Sequence, residues 1–139
     1  MNLMSSTLKD HESEEPFHVQ QRKQIEKFRE AWQEAGHDFE PRVSVSRSVF
    51  ALVSDEDRRY FGADRNSSDQ IGHLDSGAAI FGRSYAAEPD RLVEELAEDE
   101  AIQAADTVLL TIPSQLGVDY NVTAMNNILT LVAPGLGWR

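Results

Sequence analysis

Apolar and polar positions along the chain change period several times, and each period predicts an element. Between Phe17 and Ala35 the apolar residues Ile25, Phe28, Trp32 and Ala35 recur at helical spacing, with Lys23, Glu26, Lys27 and Glu30 on the other sides. Gly36 supplies the stop. After Pro41 the pattern changes to alternation: Val43, Val45 and Val49 against Ser44, Ser46 and Ser48, which predicts a strand with one apolar and one small polar face. Ser54 to Gly62 reads as a short helix, with Ser54 and Asp57 as a capping box and Asp55 and Glu56 where the helix dipole favours acids.

Residues 63–77 are rich in turn formers and predict a long loop. A strand over Ala78 to Phe81 follows, left by Gly82, Arg83 and Ser84. Pro89 then opens a helix carrying Leu92, Val93 and Leu96 against an acidic face of Glu94, Glu95, Glu98 and Asp99. Thr107 to Ile112 is a nearly unbroken apolar run that ends at Pro113, the pattern of a parallel strand covered on both sides. The last helix is predicted from about Asn121, with Val122, Met125, Leu129 and Val132 as its apolar stripe and Pro134 with Gly135 as its close.

Helices and strands therefore alternate, with connections long enough for parallel crossovers, which predicts an α/β fold. Residues 1–16, polar and acidic up to Pro16, are expected to form a flexible leader, and residues 17–139 one domain. Composition narrows the function classes. With 24 acidic against 13 basic residues and a formal net charge of −11, the surface field repels nucleic acid and anionic lipid. No run approaches the ~20 apolar residues of a membrane span. The absence of cysteine removes thiolate chemistry and disulfides, and fits a cytoplasmic location. His11, His18, His37 and His73 show no metal-ligand spacing, so no metal is expected.

The stretches Pro41-Arg42-Val43-Ser44-Val45-Ser46-Arg47, Ala79-Ile80-Phe81-Gly82-Arg83-Ser84, Asp106 to Pro113, Gln115-Leu116-Gly117-Val118-Asp119-Tyr120-Asn121 and the terminal Ala133-Pro134-Gly135-Leu136-Gly137-Trp138-Arg139 occur in an order that resembles the C-terminal region of luciferase-like monooxygenases. The resemblance implies a partial (β/α)8 TIM barrel, about its last three β/α units. It also implies a family chemistry in which reduced flavin mononucleotide (FMN) and dioxygen oxidise a small organic substrate. A whole barrel needs about 250 residues. The 139-residue chain is therefore expected to be a fragment or split subunit, inactive alone, that associates as a homo-oligomer, most simply a dimer, or with a complementary barrel half. The alternative is a non-catalytic α/β binding or assembly module.

Within that resemblance Gly82, Arg83 and Ser84 are the candidate cofactor-binding residues. Glycine permits close backbone approach, arginine offers a fork of donors, and barrels often bind phosphate after their late strands. The competing reading pairs Arg83 with one of the many carboxylates. Ser46 and Ser48, on the polar face of their strand, and Ser114 and Gln115, just past the last strand, are the candidate substrate-binding residues; a solvated serine face and an ordinary turn are the alternatives. The carboxylates of 94–100 read as a solvated helix face, and no catalytic acid is assigned.

Overall fold

The computed structural model describes residues 1–5, 8–10, 14–63, 68–74 and 77–138. The chain is mixed α/β, and its described residues divide into two units: Met1–Ser46 with Asp69–Gly82 and Asp99–Leu109, and Arg47–Ser68 with Arg83–Glu98 and Leu110–Arg139.

The first unit begins with β1 (Leu3–Met4) and β2 (Leu8–Asp10), so the segment expected to be a flexible leader instead contributes two strands. The reason is backbone pairing, which a polar sequence can make as well as an apolar one. Leu3 and Met4 run parallel to Val43 and Ser44, and Leu8 to Asp10 run antiparallel to Phe81 to Ala79. Ser5 is buried, its hydroxyl donating to Gln24 Oε1 at 2.8 Å.

Helix α1 spans Phe17–Glu34 and has no side-chain cap at Pro16. Its first amide is instead held by Asp69, at 2.8 Å from Phe17 N. Phe17, Gln21, Ile25 and Trp32 form the buried stripe. Phe28 packs on Trp32, whose indole donates to Phe39 O at 2.7 Å beyond the helix end. Gly36, with φ of 75°, turns the chain there as expected.

Strand β3 (Val43–Arg47) realises the predicted alternation: Val43 and Val45 are wholly buried, the serines between them half-buried. It lies between β1 and β8 (Thr107–Leu110). Asp106 holds the start of β3 twice, its N–H donating to Val43 O at 2.9 Å and its carboxylate accepting from Val43 N at 2.8 Å.

The predicted long loop at 63–77 is partly strand. β5 (Gln70–Leu74) pairs antiparallel with β6 (Gly77–Phe81), Gln70 opposite Phe81 and Leu74 opposite Gly77; residues 64–67 and 75–76 lie outside the described set. The turn formers dominate that stretch, but Gln70-Ile71-Gly72-His73-Leu74 needed only a partner edge to extend. The short helix α4 (Glu100–Ala104) completes the unit beside α1. Its amides are fully capped: Asp99 accepts from Ala101 N and Ile102 N at 3.0 Å each, and His18 Nδ1 accepts from Glu100 N at 3.2 Å. Arg22 pairs with Glu100 at 2.6 Å and with Glu26.

In the second unit β4 (Val49–Ala51) pairs parallel with β7 (Tyr85–Ala87), Val49 opposite Tyr85. Helix α2 (Asp55–Phe61) has the predicted capping box, Ser54 Oγ accepting from Asp57 N at 3.1 Å while Asp57 Oδ2 accepts from Ser54 N at 2.8 Å. Helix α3 (Pro89–Ala97) starts at its proline and buries Leu92 and Leu96. Helix α5 spans Val118–Asn127 and continues as a π-turn over Ile128–Val132 and a 3₁₀ turn over Ala133–Leu136.

Two expectations about burial are overturned. The residues of β8 are half-buried or exposed, Leu109 at 46 % and Ile112 beyond it at 53 %, so this apolar run is not covered on both sides. Along α5 and the π-turn, three of the four residues of the predicted apolar stripe face out: Val122, Met125 and Leu129 are 54, 42 and 60 % exposed. Asn121, Ile128, Val132 and Ala133 are buried in their place. The two stripes lie one position, about 100° of rotation, apart. Two bonds set that rotation, Tyr120 to Asp57 and Asn121 Nδ2 to Pro113 O at 3.1 Å. The π-turn then adds one residue, Ala133 N reaching back five positions to Ile128 O, and carries Val132 off the exposed stripe into the interior.

The strand pairings among the described residues do not close into a barrel, and β8 takes β3 as its sheet neighbour. No helix among them is long and apolar enough to cross a membrane.

Candidate functional site

Gly82, Arg83 and Ser84 connect β6 to β7, so a strand, not the expected helix, follows them. A Cβ at Gly82 would stand 2.7 Å from Phe17 Cδ1. The glycine is thus explained by the buried Phe17 ring, without a ligand. Arg83 donates to the Glu95 carboxylate and lies with its guanidinium 4.5 Å from the centre of the Tyr85 ring. Glu95 also receives Arg91 Nε at 2.7 Å. A phosphate brought to Arg83 would compete with Glu95 for the guanidinium. The acidic pairing weighed from the sequence is present at Arg83.

Ser46 is half-buried on β3. Ser48, between β3 and β4, has its hydroxyl 2.6 Å from Thr111 Oγ1, while Thr111 N donates to Arg47 O at 3.0 Å. Its hydroxyl therefore ties neighbouring backbone segments together. Ser114 and Gln115 are exposed in a single 3₁₀ turn over Ser114–Leu116. Gly117 follows at φ 82°, ψ 170°, a conformation essentially confined to glycine, and it starts α5 without a side-chain cap.

The best-developed polar cluster was not among the candidates. Tyr120 donates to Asp57 Oδ1 at 2.6 Å, and Asp57 Oδ2 accepts from Val53 N at 3.2 Å, Ser54 N at 2.8 Å and Ser54 Oγ at 2.8 Å. Tyr60 meets the Tyr120 ring edge-on at 5.7 Å, and Phe50 stacks on Phe61 with centroids 3.8 Å apart. Burial pushes the Asp57 carboxyl up, but the hydrogen bonds from Tyr120, Ser54 and Val53 outweigh it and hold the group below its ordinary value. Burial, then the bond to Asp57 and its charge, push Tyr120 well above the usual tyrosine value. The proton thus stays on tyrosine, and the bond fastens α5 to α2. Asp57 was visible as a capping residue; its partner, 63 positions away, had no local signal.

Asn121 has a second polar feature: its Oδ1 is buried and meets no donor among the described residues. No group of three or more metal-binding side chains occurs among them either. No protein-family model, no curated protein and no solved structure matches the chain.

Proposed function

We propose that these residues form a non-catalytic assembly element of a luciferase-like, FMN-dependent oxidoreductase, a late portion of a (β/α)8 barrel. In that setting reduced flavin and dioxygen oxidise a small organic substrate against walls supplied elsewhere in the assembly. The family part of the reading is supported by the ordered sequence words between Pro41 and Arg139 and by the parallel β1–β3 and β4–β7 pairs. The non-catalytic part is carried by one observation: Arg83, the cation proposed for the phosphate, is held by Glu95. The chain's own contribution is then a scaffold in which Asp57 and Tyr120 fix the last helix and hold its outer face in place.

A second reading, in which the chain itself contacts flavin, is favoured by the exposed Ser114 and Gln115 beyond the last strand. Titrating the purified chain with FMN and with riboflavin separates the two. The assembly reading expects no saturable binding of either and no aldehyde oxidation with reduced flavin and oxygen. Tighter binding of FMN than of riboflavin, with the difference lost in Arg83→Ala, would establish the second reading and put the guanidinium on the phosphate.

A further inference from the structure

Several unfavourable features of the second unit coincide on α5 and the turn that continues it. Val122, Met125 and Leu129 face solvent at 54, 42 and 60 % exposure, while Asn121 and Ile128, one position behind Val122 and Leu129, are buried. The Asn121 side chain donates from Nδ2 to Pro113 O and leaves its Oδ1 buried without a donor among the described residues. The helix departs from α geometry over Ile128–Val132. A buried orphan acceptor, an exposed apolar stripe and a π-turn each cost free energy, and together they mark a place where local sequence and tertiary packing disagree.

As one unbroken α-helix, Val122, Met125, Leu129 and Val132 share a face within an arc of about 80°. A rotation of α5 by one position, about 100°, turns that face to where Asn121 and Ile128 now lie. It opens the orphan oxygen to water and buries three apolar side chains in place of an amide and an isoleucine. It also makes the π-turn unnecessary, because Val132 is inside in both arrangements. Both ends can absorb the change. At Gly117, with φ of 82° and ψ of 170°, nothing stands within 4 Å of the place a Cβ would take, and glycine accepts new dihedrals readily. At the other end the π-turn yields its extra residue. What opposes the rotation is the Tyr120 hydroxyl on Asp57 Oδ1 at 2.6 Å, since Tyr120 lies on α5 and would swing away with it. The bond from Asn121 to Pro113 adds to that hold.

We propose that α5 is a two-state helix, latched by Tyr120 on Asp57 with its apolar stripe outward and able, once unlatched, to rotate by one position and bury that stripe against its own unit. The cover for the exposed face is then the interior that Asn121 and Ile128 now fill. The switch makes no use of flavin or of the family reading, so the titration above and the test below fail independently.

The chain has no cysteine, so a single introduced thiol reports exposure. The Ile128→Cys thiol is inward in the latched state and outward in the rotated one, whereas that of Leu96→Cys, in α3, is inward in both. Each is labelled with a soluble maleimide in the full chain, its fold checked by circular dichroism. Tyr120→Phe is expected to speed labelling of Ile128→Cys by at least about tenfold relative to Leu96→Cys, the population shift that follows from losing a hydrogen bond to a charged group. Adding Val122→Asp, at a position exposed in the latched state, is expected to reverse that gain, because rotation would bury the new carboxylate. Ala124→Cys, half-buried on the same face as Ile128, serves as the reporter if Ile128→Cys does not fold. Equal acceleration of Leu96→Cys would mean general loosening; no acceleration, or one that survives Val122→Asp, would mean that α5 keeps its rotation. Each of these results overturns the two-state helix.

Discussion

The Tyr120 hydroxyl donates to Asp57 across a 63-residue separation, at 2.6 Å, and so joins the capping residue of one helix to the first turn of another. Because Asp57 is 6 % exposed, its charge depends on these donors. Tyr120→Phe removes one of them and is expected to destabilise the fold by about 1.5–3 kcal/mol, the usual worth of a hydrogen bond to a charged group. Urea unfolding measures it. A loss no larger than that of an exposed Tyr→Phe change would show that Asp57 does not need the bond.

The same pair predicts the pH profile. The folded state holds Asp57 below its ordinary value of 3.8, so its contribution is present above that value and is lost as pH falls through the depressed one. Tyr120 is raised above 10.0, so its contribution is full below that pH and is lost as pH rises further. Stability of the wild-type chain is expected to decline below about pH 4 and above about pH 10. Tyr120→Phe should flatten the alkaline limb and leave the remaining Asp57 donors to shape the acid one. Thermal melts across that range read both limbs.

Asp99 is 2 % exposed and accepts from two amides of α4. Asp99→Ala is expected to cost about 1–2 kcal/mol, the upper part of the range for a lost helix cap. Amide hydrogen exchange locates the effect: Ala101 and Ile102 should lose protection first, and unchanged protection there would remove Asp99 from its capping role.

Gly82→Ala places a Cβ against the Phe17 ring, which is itself 3 % exposed and has little room to retreat. A loss of about 1–3 kcal/mol is expected from this overpacking. In the Phe17→Leu background the alanine should cost clearly less, because neighbouring substitutions that relieve one clash are non-additive. Equal costs in both backgrounds would mean that the glycine serves something other than this packing.

Much of the local structure was legible in the sequence, because its causes are local. The Val–Ser alternation produced β3, Ser54 and Asp57 capped α2, Pro89 opened α3 and Gly36 ended α1, each through bonds or steric limits spanning a few residues. The strands near the N-terminus and at 70–74 were not legible, since backbone pairing depends on which edge lies nearby and not on side-chain pattern. The candidate arginine was legible as a cation after a strand, but its partner Glu95, twelve residues on, was one of many carboxylates. The last helix divides the matter most sharply. Its residues determined that it would be amphipathic with Val122, Met125 and Leu129 in one stripe; only the tertiary bonds from Tyr120 to Asp57 and from Asn121 to Pro113, with the π-turn after them, decided that this stripe faces outward. Periodicity fixes the angles between side chains on a helix, while the rotation of the whole helix is set by what it touches.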